Sequence, residues 1–90
     1  MTKNKVSVLG KTYQVFSRPK QDMHGNLGTV DVASLRIDVD DGLKSEQLND
    51  TLLHEVIHVI CTELQIELSE ADTFRLACGL HSAGAKIKYV

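Results

Sequence analysis

An α+β fold is what this sequence predicts: a small N-terminal antiparallel or mixed β-sheet packed on a two-helix C-terminal hairpin. Three observations lead there. The first half holds short β-prone runs separated by Gly, Pro, Asn and Asp. The second half changes to a helical period. A short connection, residues 65–68, joins the two helical stretches and makes them antiparallel neighbours.

Taken in order, Val6-Ser7-Val8-Leu9 and Tyr13-Gln14-Val15-Phe16 are strand-forming runs, and Gly10-Lys11 between them is a hairpin turn. Residues 18–28 contain Pro19, Gly25, Asn26 and Gly28 and form a loop. Thr29-Val30-Asp31-Val32 and Leu35-Arg36-Ile37-Asp38-Val39 are the next strands. In the second of these Leu35, Ile37 and Val39 face one side and Arg36 and Asp38 the other. Asp40-Asp41-Gly42 closes it. Ser45 is a good N-cap for a helix over residues 46–64, with Glu46 and Gln47 in its first turn. Leu48, Leu52, Leu53, Val56, Ile57, Val59, Ile60 and Leu64 fall on one broad arc of that helix. Asp50, Thr51, His54, His58, Cys61 and Gln65 fall on the opposite arc. A second helix starts at Ser69, which forms a capping-box variant with Asp72. Its apolar side is Phe74, Leu76, Ala77 and Leu80, and Gly84 is its C-cap. The alternating tail, residues 86–90, suits either a short strand or a frayed end.

Ninety residues make one domain, 1–90. The chain is 42 % apolar with no Trp, so its core is built from Leu, Val and Ile, and a bound metal would add stability to so small a core. The formal net charge is −2 and no Lys/Arg cluster stands out, which argues against nucleic acid as the main partner. No apolar h-region follows the polar N-terminus and no apolar run is long enough to span a bilayer, so the expectation is a soluble cytoplasmic protein with no membrane partner. Cys61 and Cys78 are too few for a disulfide framework and suit a reducing compartment as buried small residues.

The pentapeptide His54-Glu55-Val56-Ile57-His58 carries the chemistry. On a helix, residues four apart share a face, so both imidazoles can reach one metal ion. Glu55 sits about 100° around the axis, too far to compete as a ligand, yet placed to act as general base toward a water on the metal. Both histidines avoid the apolar arc. A catalytic zinc takes three protein ligands and keeps one position open, and the second helix, folded back by the short loop, offers Glu70, Asp72 and His81. Glu70 should lie beyond His58 toward the hairpin end, Asp72 nearer, and His81 roughly opposite His54. His81 also suits a satisfied structural histidine or an oxyanion donor, and Cys61, one turn past His58, is a further candidate thiolate. His24, in the Gly-rich loop, reads as unremarkable.

The run TLLHEVIHVI followed by ELSEADTFRLACGL resembles a family of small phage and prophage HExxH proteins. These are similar to gluzincin-type metallopeptidases of the ImmA/IrrE kind in minimal form. The resemblance covers the second half of the chain. The first half matches only through Asn26-Leu27-Gly28 and an alternating strand before the helix. It implies a zincin-like core in which His54 and His58 bind zinc and Glu55 is the base. The related third ligand is a Glu on the next helix, in a segment like ExEANxFA. Alignment on Leu76-Ala77 sets Asp72 at that Glu and Glu70 at the upstream one. The implied activity is hydrolysis of a peptide bond by a zinc-activated water in a host bacterial cytoplasm. The substrate would be a protein or peptide, such as a host or phage regulator. An extended substrate would pair with the strand at 35–39 if that strand is a sheet edge. The alternative is a non-catalytic zinc-binding or metal-free protein of the same fold acting as an interaction module.

Overall fold

A computed structural model describes residues 4–90. Four strands, β1 (Lys5–Val8), β2 (Lys11–Arg18), β3 (Gly28–Asp31) and β4 (Arg36–Asp40), precede two helices, α1 (Ser45–Leu64) and α2 (Glu70–Ser82). The sheet is mixed, in the order β1-β2-β4-β3. β1 and β2 form a hairpin whose two-residue turn, Leu9-Gly10, has both residues at positive φ (50° and 81°), the backbone twist that suits a tight hairpin. β2 and β4 run parallel, and β3 returns antiparallel to β4. The loop between β2 and β3 contains a short 3₁₀ turn, Lys20–Asp22, and buries Met23.

The expected alternation in β4 holds at its centre. Ile37 and Val39 are buried. On the opposite side Arg36 bonds Asp38 at 2.9 Å and lies over the Phe16 ring. Leu35 belongs to the preceding turn at φ 56°, so the strand starts one residue later than its pattern suggests. Asp40 ends the strand by accepting the Gly42 N–H at 2.8 Å, an Asx turn.

α1 lies between the sheet and α2. The broad apolar arc read from its sequence is two interfaces side by side. Leu52 and Val59 pack with Val6, Val8, Tyr13, Val15, Ile37 and Val39 of the sheet, each such burial stabilising by roughly 1.5–3 kcal/mol. Leu53 and Ile57 pack with Ala77 of α2. Cys61 and Leu68 close this second cluster, so Cys61 serves as an apolar filler and not as a ligand. Both cysteines are free thiols. Ser45 is the first residue of α1 and not its cap: Lys44 precedes the helix with no side-chain cap bond. Gln65, at φ 57°, terminates α1, and the Ile66 N–H returns to the Cys61 carbonyl. At α2 the Ser69 hydroxyl accepts the Asp72 N–H, the cap the sequence called for. Gly84 (φ 99°) ends it in a Schellman turn, with Gly84 N–H to His81 O and Ala85 N–H to Leu80 O.

The tail is tied down without forming a strand. Asn49 accepts the Ile87 N–H and donates to the Ala85 carbonyl; Ile87 enters the core, and the Val90 N–H meets the Lys5 carbonyl of β1. The chain end therefore comes alongside one sheet edge, whereas β3 forms the other. No helix among the described residues is long and apolar enough to cross a membrane.

Tyr13 is fully buried, and its hydroxyl has no hydrogen-bond partner. Sequestering a hydroxyl without a partner costs about 1–3 kcal/mol. Tyr13→Phe is therefore expected to leave the urea midpoint unchanged or to raise it, with an unaltered m-value.

Candidate metal centre

His54 and His58 stand one turn apart on the open side of α1, and Glu70 opens α2 directly across from them. The antiparallel hairpin makes this meeting possible. α2 begins where α1 ends, so its first turn faces the last three turns of α1. His54 Nε2 lies 2.8 Å from Glu70 Oε1 and His58 Nε2 lies 2.9 Å from the same oxygen. The two Nε2 atoms are 3.1 Å apart. Among the described residues this is the group that could hold a metal ion.

The carboxylate oxygen only accepts, so each imidazole turns an N–H toward it, and its two lone pairs can take both. The 3.1 Å contact between the ring nitrogens is then donor against donor. A cation shared by three lone pairs removes that conflict. Tetrahedral zinc at 2.0–2.2 Å from N and O ligands separates its ligand atoms by about 3.3 Å, so the triangle needs to open by only a few tenths of an ångström. The His54 and His58 side chains are 20 % and 31 % exposed and Glu70 is 75 % exposed, which leaves the site open to solvent. Burial pushes the Glu70 carboxyl up, but hydrogen bonds from His54 and His58 and their charge outweigh it and hold the group below the usual carboxylate range.

Glu55 lies beside this triangle and lines the same cleft. It is only 5 % exposed, and its burial raises its pKa against the opposing pull of His54 and His58, with Glu70 adding to the rise. Its position depends on Gly28. A Cβ at residue 28 would come within 2.6 Å of Thr51 Cγ2 and 3.3 Å of Glu55 Cγ and Oε2. β3 can therefore approach α1 this closely only with glycine at that point. Gly28→Ala must push the buried Thr51 or Glu55 aside. A loss of about 1–3 kcal/mol is expected from overpacking, read as a lower thermal midpoint, with the cleft around Glu55 disturbed more than the metal triangle.

The cleft holding these groups measures about 570 Å³. Gly28, Thr29 and Val30 of β3 form one wall; Asp50, His54, Glu55 and His58 of α1 form the floor; Glu70 and Phe74 of α2 form the other wall.

Two expected ligands lie elsewhere. Asp72 is two residues, about 200°, around α2 from Glu70. It faces outward and pairs with Arg75 at 2.9 Å; this corrects its assignment to the metal, and Glu70 takes the place across from the histidines. His81 sits opposite Asn49 and Glu46, more than a turn beyond His54. Its Nδ1 accepts from Asn49 at 2.7 Å, which leaves Nε2–H to donate to Glu46 at 2.8 Å. With both ring nitrogens engaged outside the cleft it is neither ligand nor oxyanion donor. The strand at 35–39 is likewise not an edge, because β4 is paired on both sides. The edge beside the site is β3.

No protein-family model matches the chain, and no curated protein or solved structure is significantly similar to it.

Proposed function

We propose that this protein is a minimal zinc-dependent peptidase that hydrolyses a peptide bond in an extended protein or peptide segment. The observation that carries this reading is the convergence of two imidazole nitrogens and one carboxylate oxygen within 3.1 Å of one another at the floor of an open cleft, beside a second, buried carboxylate. A His2Glu donor set is of the catalytic zinc type, with a coordination position left for a non-protein ligand.

His54, His58 and Glu70 would hold the ion. Zinc bound there would supply Lewis acidity, polarising a carbonyl and acidifying water. Glu55 accepts the proton that water loses on attacking the scissile carbonyl carbon, and passes it to the departing amine nitrogen as the C–N bond breaks. Burial favours this role, since a carboxylate whose pKa is raised is a stronger base than an exposed one. The outer edge of β3 offers main-chain N–H and C=O groups to an extended peptide. The C-terminal segment comes alongside the β1 edge, so strand addition is favoured at β3, next to the metal ligands.

Metal content of the protein purified without added zinc, together with cleavage of a random peptide library before and after chelation, tests the reading. One zinc per chain and cleavage that disappears on chelation and returns with zinc are expected. Stoichiometric zinc without cleavage of any peptide would replace the peptidase with a second reading, a zinc-clamped interaction module. The exposed Leu76 and Leu80 on the outer side of α2 favour that one. A chain that takes up no zinc removes both.

A further inference from the structure

The cleft is lined by three carboxylates, Asp50, Glu55 and Glu70, and, among the described residues, by no lysine or arginine. Glu70 completes the metal triangle and Glu55 is the proton carrier. Asp50 has no such task. It lies one turn before His54 on the same side of α1. Its Oδ1 is closed off from bulk water and has no hydrogen-bond partner. Its Oδ2 meets only the Cys78 thiol at 3.9 Å, a weak donor. A sequestered carboxylate oxygen without a donor is costly, and folded proteins keep few of them. The absence of a cationic side chain also removes the usual clasp for a peptide's terminal carboxylate. The charge left over in this cleft is negative, and it belongs to Asp50.

We propose that Asp50 receives a cationic group of the substrate, an ammonium or guanidinium, and makes the cleft selective for peptides carrying one near the scissile bond. The proposal rests on the peptidase reading above and specifies its substrate class. Rotation about the soft terminal torsion of the aspartate, held only by the thiol contact, turns an oxygen toward the incoming donor. Leu27 and Phe74 are half-exposed in the same cleft and offer apolar contact to the methylene stem of a lysine or arginine.

The test uses zinc-loaded Glu55→Gln protein, which binds without turning substrate over. The probes are short synthetic peptides with a central Phe, in which one Lys is exchanged for norleucine at successive positions, each made with a free and an acetylated N-terminus. Dissociation constants come from fluorescence anisotropy. The best-placed Lys or free amine is expected to tighten binding about 10-fold over its neutral counterpart. Adding Asp50→Asn should collapse that difference, and adding Asp50→Glu should preserve it. A preference that follows Lys identifies a side-chain subsite, and one that follows the free N-terminus identifies an ammonium subsite; both uphold Asp50 as its seat. Equal binding of cationic and neutral peptides, or a preference that survives Asp50→Asn, overturns the proposal and leaves the peptidase reading standing. Failure of every peptide to bind overturns the two together.

Discussion

Glu70→Ala is expected to weaken zinc binding by at least about 100-fold, while Asp72→Ala leaves it unchanged. The two acids are separated by one residue in the first turn of α2, and both are favoured there by the helix dipole. They differ in where they point. Glu70 Oε1 is within 2.9 Å of both imidazoles, and its loss reduces a three-ligand site to two, a larger deficit than the 10–100-fold typical of losing an outer-shell partner. Asp72 holds only the exposed Arg75, a pair worth about 0–1 kcal/mol. Competition with a chromophoric chelator at neutral pH measures both affinities. If Asp72→Ala gives the larger loss, the first turn of α2 is rotated relative to α1 and the aligned position, not the observed triangle, marks the third ligand.

That contrast also shows where reading the sequence stops. The HExxH spacing fixes the relation of His54 and His58 because it is local to one helix, and helical geometry leaves it no freedom. The choice between Glu70 and Asp72 depends on the rotation of α2 about its own axis. That rotation is set by Ala77 seating against Leu53 and Ile57, a contact between distant parts of the chain. Helical period at α1 likewise gave one wide apolar arc, but only packing divides it into a sheet-facing and a helix-facing side. Strand content was legible from alternation. Strand order was not, because β2 and β4 pair in parallel across an intervening hairpin arm, and this is what puts β3 at the edge. Gly28 marks more than the end of a loop. A glycine at the start of a β-prone run marks close backbone approach, and here the approaching surface is Glu55 itself.

Glu55→Gln is expected to lower peptide cleavage by about 10²–10⁴-fold, the usual contribution of a general base, while zinc stoichiometry stays at one per chain. Gln fills the same space against Gly28 and Thr51 but cannot take up a proton. The variant should not lose stability, because an ionised carboxylate at this buried position is unfavourable and a neutral amide is less so. The sign of the pH effect follows. Burial raises the folded-state pKa of Glu55, so the stability this group contributes is complete at pH values below its unfolded pKa and is lost as pH rises through the raised one. In the zinc-free protein, then, Glu55→Gln should match the parent in acid and gain on it toward neutral pH, as read by urea midpoints along a pH series. A parent that gains on the variant instead would mean that Glu55 is stabilised as a carboxylate by its surroundings. It would then be a structural acid, and a weaker base than the proposed reaction requires. A variant that cleaves as fast as the parent while holding its zinc would remove Glu55 from the chemistry altogether.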